Sequence, residues 1–233
     1  DRFPNALVWE PGPMARRLAR AGVGRRLGPA MPALRRQLTQ ALDTGAPPTP
    51  DAHRVQFHLE VARLLGADPL KAENFAPLEP PGEAPRETLL LIPESDFGLN
   101  HQWPLDRWLE LAAALGDPSL RVAGFRDNSL AAELARSLEV PLERLELPAL
   151  ELLGSARACI SVENSAVHLA ASVGTTCAVI YGPGDPVLHR PLGKNHRVVR
   201  HKAECSPCRL SRCPLDLRCQ NELEVGEVVR ALR

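Results

Sequence analysis

Lysine is scarce in this 233-residue chain, where Lys71, Lys194 and Lys202 are the only three, so its positive charge rests on arginine. Acids and bases balance to a formal net charge of +0. A chain without net charge has no global field to steer it toward nucleic acid or acidic lipid, and any such attraction has to be local. Nucleic acid is accordingly not among the expected partners. Also missing is any run of eighteen apolar residues, which excludes an ordinary membrane-spanning helix. The first residues lack the basic, apolar and small-residue succession of a secretory signal. These absences lead to the expectation of a cytoplasmic protein. What is present, 44% hydrophobic residues in a chain of this length, suffices for one large domain or two modest ones with a buried core.

One local bias breaks the neutrality. Arg16, Arg17, Arg20, Arg25, Arg26, Arg35 and Arg36 crowd the first thirty-six residues, where Asp1 and Glu10 are the only acids. The chain-wide preference for arginine over lysine explains this blandly. An anion-binding surface explains it functionally, because a guanidinium fork pairs bidentately with phosphate and stays charged at any working pH. In a helix running through Ala21, Arg16 and Arg20 share a face with Arg17 beside them.

Asn5-Ala6-Leu7-Val8-Trp9 reads as a short buried strand, and Pro11-Gly12-Pro13 ends it and sets a proline in the first turn of that helix. A second helix is expected over residues 33–42. Residues 45–50 are loop, and Asp51 is expected to cap a helix bearing Val55, Leu59, Ala62 and Leu65 at helical spacing and closed by Gly66. The proline-rich stretch 76–86, with Gly82, reads as an interdomain linker. Beyond it, apolar strands at 89–92, 120–123, 158–162 and 177–181 alternate with helices at 105–115, 129–138, 149–156 and through Val167 to Ala171. Strands that are apolar throughout and separated by helices form a parallel sheet covered on both faces. Ligands of such sheets gather at the carboxyl ends of the strands, which singles out the loops starting at Pro93, Gly124, Glu163 and Gly182.

The third of these loops carries the densest chemistry. Val162-Glu163-Asn164-Ser165-Ala166-Val167-His168-Leu169-Ala170-Ala171 is a strand end, a polar cap and a helix with a histidine in its first turn. The unpaired N–H groups of a helix N-terminus can hold a diphosphate, with His168 as an added donor; an ordinary cap with a satisfied histidine is the plain alternative. Ten residues on come Tyr181-Gly182-Pro183-Gly184-Asp185-Pro186 and then Leu192-Gly193-Lys194-Asn195. Upstream lie Leu91-Ile92-Pro93-Glu94-Ser95 and Trp103-Pro104 with Trp108 and Leu111. The order of these pieces resembles the heptosyltransferase family (glycosyltransferase family 9, ADP-heptose:lipopolysaccharide heptosyltransferases). That pattern has a strand and Pro-Gly-Ala/Thr-Ser/Thr, then Trp-Pro and a helix. It continues with Asp-Thr/Ser-Gly, two residues, His-Leu-Ala-Ala, and a Gly-Pro-Thr-Asp-Pro loop. The likeness runs from about Leu89 to the C-terminus, and residues before 80 match weakly.

The resemblance implies an α/β fold of the GT-B type. A Rossmann-like C-terminal domain over residues 81–233, with a parallel sheet and helices on both faces, would bind the nucleotide sugar. An incomplete N-terminal α/β domain over residues 1–80 would face the acceptor. It also implies metal-independent transfer of a heptose-like sugar from a nucleoside-diphosphate donor to a lipopolysaccharide-core or other glycan acceptor, with no catalytic cofactor and peripheral contact with the inner face of the membrane. The donor-binding candidates are Pro93, Glu94, Ser95, His101, Gly124, Glu163, Asn164, Ser165, His168, Gly182, Pro183, Asp185 and Lys194. Arg16, Arg17 and Arg20 are the acceptor-binding candidates, expected to face the interdomain cleft. The family has Asp at 163, Thr or Ser at 164 and Gly at 165, and some members have Lys at 101. Ser165 puts a Cβ where backbone would approach the donor phosphates, and His101 weakens the charge over them. A family glycine-rich turn carries an acidic residue that deprotonates the acceptor; nothing here matches it. The base is therefore expected in a segment outside this chain, the N-terminal region being either shortened or degenerate. Two other functions remain open: a sugar-nucleotide epimerase of similar fold and a non-catalytic nucleotide-sugar-binding module.

Finally, Cys205, Cys208, Cys213 and Cys219 stand close together before the last helix. Four thiols at this density can hold a structural zinc or form disulfides, the latter less expected in a cytoplasmic protein. Cys159 and Cys177, within strands, read as core residues.

Overall fold

A computed structural model describes residues 4–45, 51–79, 86–126, 129–146 and 149–232. Its contacts divide the chain into two units, Asp1–Phe75 and Ala76–Arg233. The second unit takes in residues 76–79, ahead of the boundary expected at 81, because Leu78 N–H donates to Ser172 O at 2.6 Å and Pro77 packs beside Gly174. Most of the expected loop at 45–50 and most of the linker at 76–86 lie outside the described residues.

The first unit contains β1 (Asn5–Leu7), α1 (Pro13–Arg20), β2 (Arg25–Pro29), α2 (Pro32–Arg35), β3 (Gln40–Leu42) and α3 (Val55–Leu64). Its three strands form a parallel sheet in the order β1-β2-β3. This corrects three expectations. The helix expected over 33–42 stops at Arg35, and residues 40–42 are a strand instead. Leu34, Leu38 and Leu42 have helical spacing, but Leu34 and Leu38 pack with Val8 and Ala15, while Leu42 joins Leu27 and Val61 in a separate cluster. The strand Arg-Arg-Leu-Gly-Pro carries breakers and charges that hide it in the sequence. Its Gly28 is required because a Cβ there would strike the Val8 carbonyl. The expected buried strand at 5–9 is an edge strand, with Asn5 and Leu7 exposed and only Val8, just after it, buried. Asp51 does not cap α3; Arg54 is its N-cap, and Val55 N–H donates to His53 Nδ1 at 3.1 Å.

The second unit contains β4 (Thr88–Ile92), α4 (Leu105–Leu115), β5 (Leu120–Gly124), α5 (Leu130–Leu138), β6 (Leu142–Arg144), α6 (Leu150–Ser155), β7 (Ala156–Val162), α7 (Ala166–Ser172), β8 (Thr176–Ile180), α8 (Pro186–His189), β9 (Arg197–Val199), α9 (Arg218–Asn221) and α10 (Val225–Ala231). Six strands, parallel at every described pairing, lie in the order β6-β5-β4-β7-β8-β9. Alternate residues of each strand point to opposite faces, which explains the continuous apolar runs. Leu89 and Leu91 of β4 join Trp103, Trp108, Leu111, Leu134 and Val228 in one core. Leu90 and Ile92 join Leu153, Val167 and Ala170 in the other, along with Cys159 and Cys177. The sheet is thus covered on both sides. Its order reverses between β4 and β7, and a doubly wound sheet opens its ligand crevice at the carboxyl ends beside that reversal.

Candidate functional site

The loops after β4 and β7 meet at the reversal and are tied together by side chains. Asn164, 1% exposed, donates through Nδ2 to Glu94 O and to Ser161 Oγ, both at 2.8 Å, and its Oδ1 accepts from Val167 N–H at 3.2 Å. Ser95 Oγ donates to Glu163 O at 2.7 Å. Asp96, which the sequence reading did not single out, accepts from Ser165 N–H at 2.6 Å through Oδ2. The start of α7 is therefore closed by the protein's own groups, Asn164 on one N–H and Asp96 on another. Ser165 and His168 are exposed on this helix.

Two clefts flank the segment 94–102. The larger, about 490 Å³, lies over the carboxyl ends of β4 and β5. Glu94, Ser95 and Asp96 line one wall, with Leu99 and Gln102; Phe125, Arg126, Ser129, Leu130, Glu133 and Arg136 line the other. Glu94 is buried, and its Oε2 accepts from Phe125 N–H at 2.6 Å. Gly124 makes that contact possible, since a Cβ there would lie 2.5 Å from Ala131 Cβ and 3.2 Å from Glu94 Oε2. Two guanidinium groups, an aromatic ring and carboxylates in a volume of this size suit a nucleotide: cations for phosphate, an apolar surface for a base, an acceptor for ribose hydroxyls.

The smaller cleft, about 260 Å³, is lined by Phe97, His101, Glu163, Gly184, Asp185, His189, Arg209 and Ser211. His101 and Glu163 are both buried, with Nδ1 and Oε2 3.3 Å apart. With its proton on Nδ1 the imidazole donates to the carboxylate, which gives a buried charge the partner it requires. Glu163 also fills the space beside Gly184, where a Cβ would fall on its Oε2. The Tyr181 phenol is pushed well above its usual range by burial and then by the Glu163 charge, so it stays protonated and donates to His189 O at 3.1 Å. Asp185 caps α8 by accepting from Val187 N–H at 3.0 Å.

The sequence-derived candidates thus divide. Glu94 and Ser95 line the larger cleft, with Gly124 at its rim; His101, Glu163 and Asp185 line the smaller. Pro93, Gly182 and Pro183 are buried beneath the loops. Gly182 admits the buried Gln220 side chain, and its carbonyl accepts from Ser206 Oγ at 2.7 Å. Ser165, His168 and exposed Lys194 line neither cleft. Arg126 follows Gly124 in a loop that the strand pattern singles out, so it was legible. Arg136 and Arg209 come from a helix and from the cysteine-rich loop, and no local motif marks them.

Arg16, Arg17 and Arg20 are exposed on α1, and Arg17 and Arg20 sit in its last turn, where cations complement the helix dipole. Arg26 instead serves the fold, with Nε donating to Gln37 O at 2.8 Å and a terminal nitrogen donating to Val23 O at 2.5 Å. All six cysteines are free thiols, and among the described residues no group of three or more His, Cys, Asp or Glu side chains is arranged to hold a metal ion. Cys205, Cys208 and Cys213 lie close enough to Cys219 to act on its ionisation: burial first, then their charges, push its thiol up to about 11. Among the described residues no helix is long and apolar enough to cross a membrane.

Comparison with known proteins accounts for this architecture. Lipopolysaccharide heptosyltransferase 1 of Pseudomonas aeruginosa is 29% identical over 118 residues, 48% of this chain and 33% of that protein. The chain therefore aligns with about a third of that relative's length. Among solved structures, E. coli heptosyltransferase WaaC with ADP overlays on 100% of this chain and 72% of its own, with a TM-score of 0.63 and 18% identity. E. coli ADP-heptose lps heptosyltransferase II overlays on 99% of this chain and 75% of its own, with a TM-score of 0.65 and 18% identity. At that identity the overlays establish the GT-B fold. The model of glycosyltransferase family 9 (heptosyltransferase) matches residues 48–218, well over half of the sequence, and the chain belongs to that family.

Proposed function

We propose that this chain takes part in glycosyl transfer, binding a nucleoside-diphosphate sugar of the ADP-heptose kind and passing its sugar to a lipopolysaccharide-core or similar glycan acceptor. The observation that carries the reading is the pair of clefts on either side of residues 94–102, at the strand-order reversal of a parallel sheet. Glu94, Ser95, Phe125, Arg126 and Arg136 hold the nucleotide in the larger cleft; His101, Glu163 and Asp185 address the sugar end in the smaller. Arg126 and Arg136 offset the charge that develops on the leaving diphosphate, the role first expected of the α7 N-terminus. Membership of a transferase family and the presence of ADP in one related structure favour this over an epimerase or a binding module.

Three further assignments go with it. Arg16, Arg17 and Arg20 bind the anionic acceptor or the membrane that carries it, the cysteine-rich loop is a structural staple closed by zinc or by disulfides, and the protein works on the cytoplasmic side. The central reading is tested by incubating the chain with ADP-heptose and a heptose-deficient lipopolysaccharide core and following transfer by mass spectrometry. Heptose added to the core, dependent on Arg126 and Arg136, is the expected result. A chain that neither binds ADP nor transfers heptose sinks the reading.

A further inference from the structure

The cysteine-rich loop is not remote from the smaller cleft. Arg209 N–H donates to Pro183 O at 2.8 Å, Ser206 Oγ donates to Gly182 O, and Asn100 Nδ2 donates to Leu210 O at 3.5 Å. These bonds seat residues 206–210 on the loops that follow β4 and β8. Arg209 adopts a left-handed backbone, φ 56°, although it is not glycine. A non-glycine residue in that region costs about 1 kcal/mol or more, which the surrounding bonds must offset. The turn delivers Arg209 and Ser211 to the wall of the cleft.

The charges in that cleft are unevenly committed. Glu163 is paired with His101, and Asp185 with the start of α8. Arg209 is the one arginine or lysine among the described lining residues, and among the described residues no side-chain hydrogen bond or ion pair of it is formed. An exposed guanidinium at the mouth of a cleft whose carboxylates already have partners is suited to an anionic ligand.

We infer that Arg209, carried by the cysteine-rich loop, is a donor-binding residue that adds, from the smaller cleft, a fixed positive charge to those of Arg126 and Arg136 on the diphosphate of the nucleotide sugar. The inference rests on the donor reading above. It gives the loop a role at the site, since the hydrogen bonds that seat the loop hold a cation over the cleft. It also places in the smaller cleft a cation of the kind that a lysine at position 101 would supply.

Calorimetry on the full chain tests this with ADP and adenosine as probes. Arg209→Gln should weaken ADP about tenfold or more, the loss expected for one charge-assisted hydrogen bond, and leave adenosine within about twofold. Arg209→Lys should retain part of the affinity, and His101→Lys introduced into the Arg209→Gln chain should restore part of it. Equal ADP affinity for Arg209→Gln and the unaltered chain overturns the inference. So does a parallel loss for ADP and adenosine, which would mean that the loop merely moved. If the unaltered chain binds neither ADP nor UDP, the donor reading itself fails before any variant is compared.

Discussion

Glu163 and Gly184 are coupled by volume. The family pattern has an aspartate and a threonine at these positions, one carboxylate shorter by a methylene and one residue with a side chain; here the longer acid occupies the space left by the missing Cβ. Glu163 cannot easily swing away, since it is 3% exposed and held by His101. Gly184→Ala should therefore break the His101 pair or strain the loop, at about 1–3 kcal/mol, as for other overpacked sites. Glu163→Asp should relieve most of that cost when combined with Gly184→Ala, a coupling visible in a double-mutant cycle of thermal denaturation. Strictly additive losses would mean that the two side chains do not compete for space. The departure at Glu163 was legible in the sequence as an isolated substitution, and the one at Gly184 stood in its loop without being singled out. Their contact was not legible, because residue 163 follows one strand and residue 184 the next, and only the sheet register brings them together.

Elements with a strong period were legible for the opposite reason: their signal is local. The strands β4, β5, β7 and β8 are apolar on both faces because both faces are buried, and α4 and α5 carry long amphipathic patterns that end at Gly116 and start at Ser129. Short edge elements such as β6 and β9 are only three residues each and left no such trace. In the first sheet β2 was missed because Arg25-Arg26-Leu27-Gly28-Pro29 is placed by close backbone approach to Val8 and carries no apolar run. In the cysteine-rich loop, spacing showed that four thiols could act together but said nothing of the cleft beneath them. The staple assignment predicts protection from alkylation. Free thiols would react in order of exposure, with exposed Cys205 fast and buried Cys219, its thiol raised to about 11, slow because only the thiolate is reactive. A bound zinc would protect all four and be released by a chelator, whereas disulfides would yield only after reduction. Four reactive thiols in a metal-free native chain would reject both forms of staple.

For the molecule as a whole, a net charge of zero means that attraction to an anionic partner must come from asymmetry within it. The exposed arginines of α1 provide such asymmetry. Arg16 and Arg20 lie one turn apart with Arg17 alongside, and no acid stands in the first turn of that helix. Part of the cluster has an alternative occupation, since Arg17 and Arg20 also stabilise the helix end through its dipole and Arg26 is bonded within the fold. A stability role and a binding role make different predictions. Replacing Arg16, Arg17 and Arg20 together with Gln removes three charges. If they serve only the helix, the loss is about 0.3–1 kcal/mol per last-turn residue in thermal stability, with acceptor affinity unchanged. If they bind a phosphorylated core, affinity for that core should fall severalfold at low salt, its dependence on ionic strength should flatten, and ADP binding should stay as it was, since the cleft proposed to hold the nucleotide is lined by residues of the other unit. Vesicles bearing the core sugars, titrated at two salt concentrations, read the three quantities in one experiment. Unchanged affinity at low salt would reduce the patch to a solvated helix face.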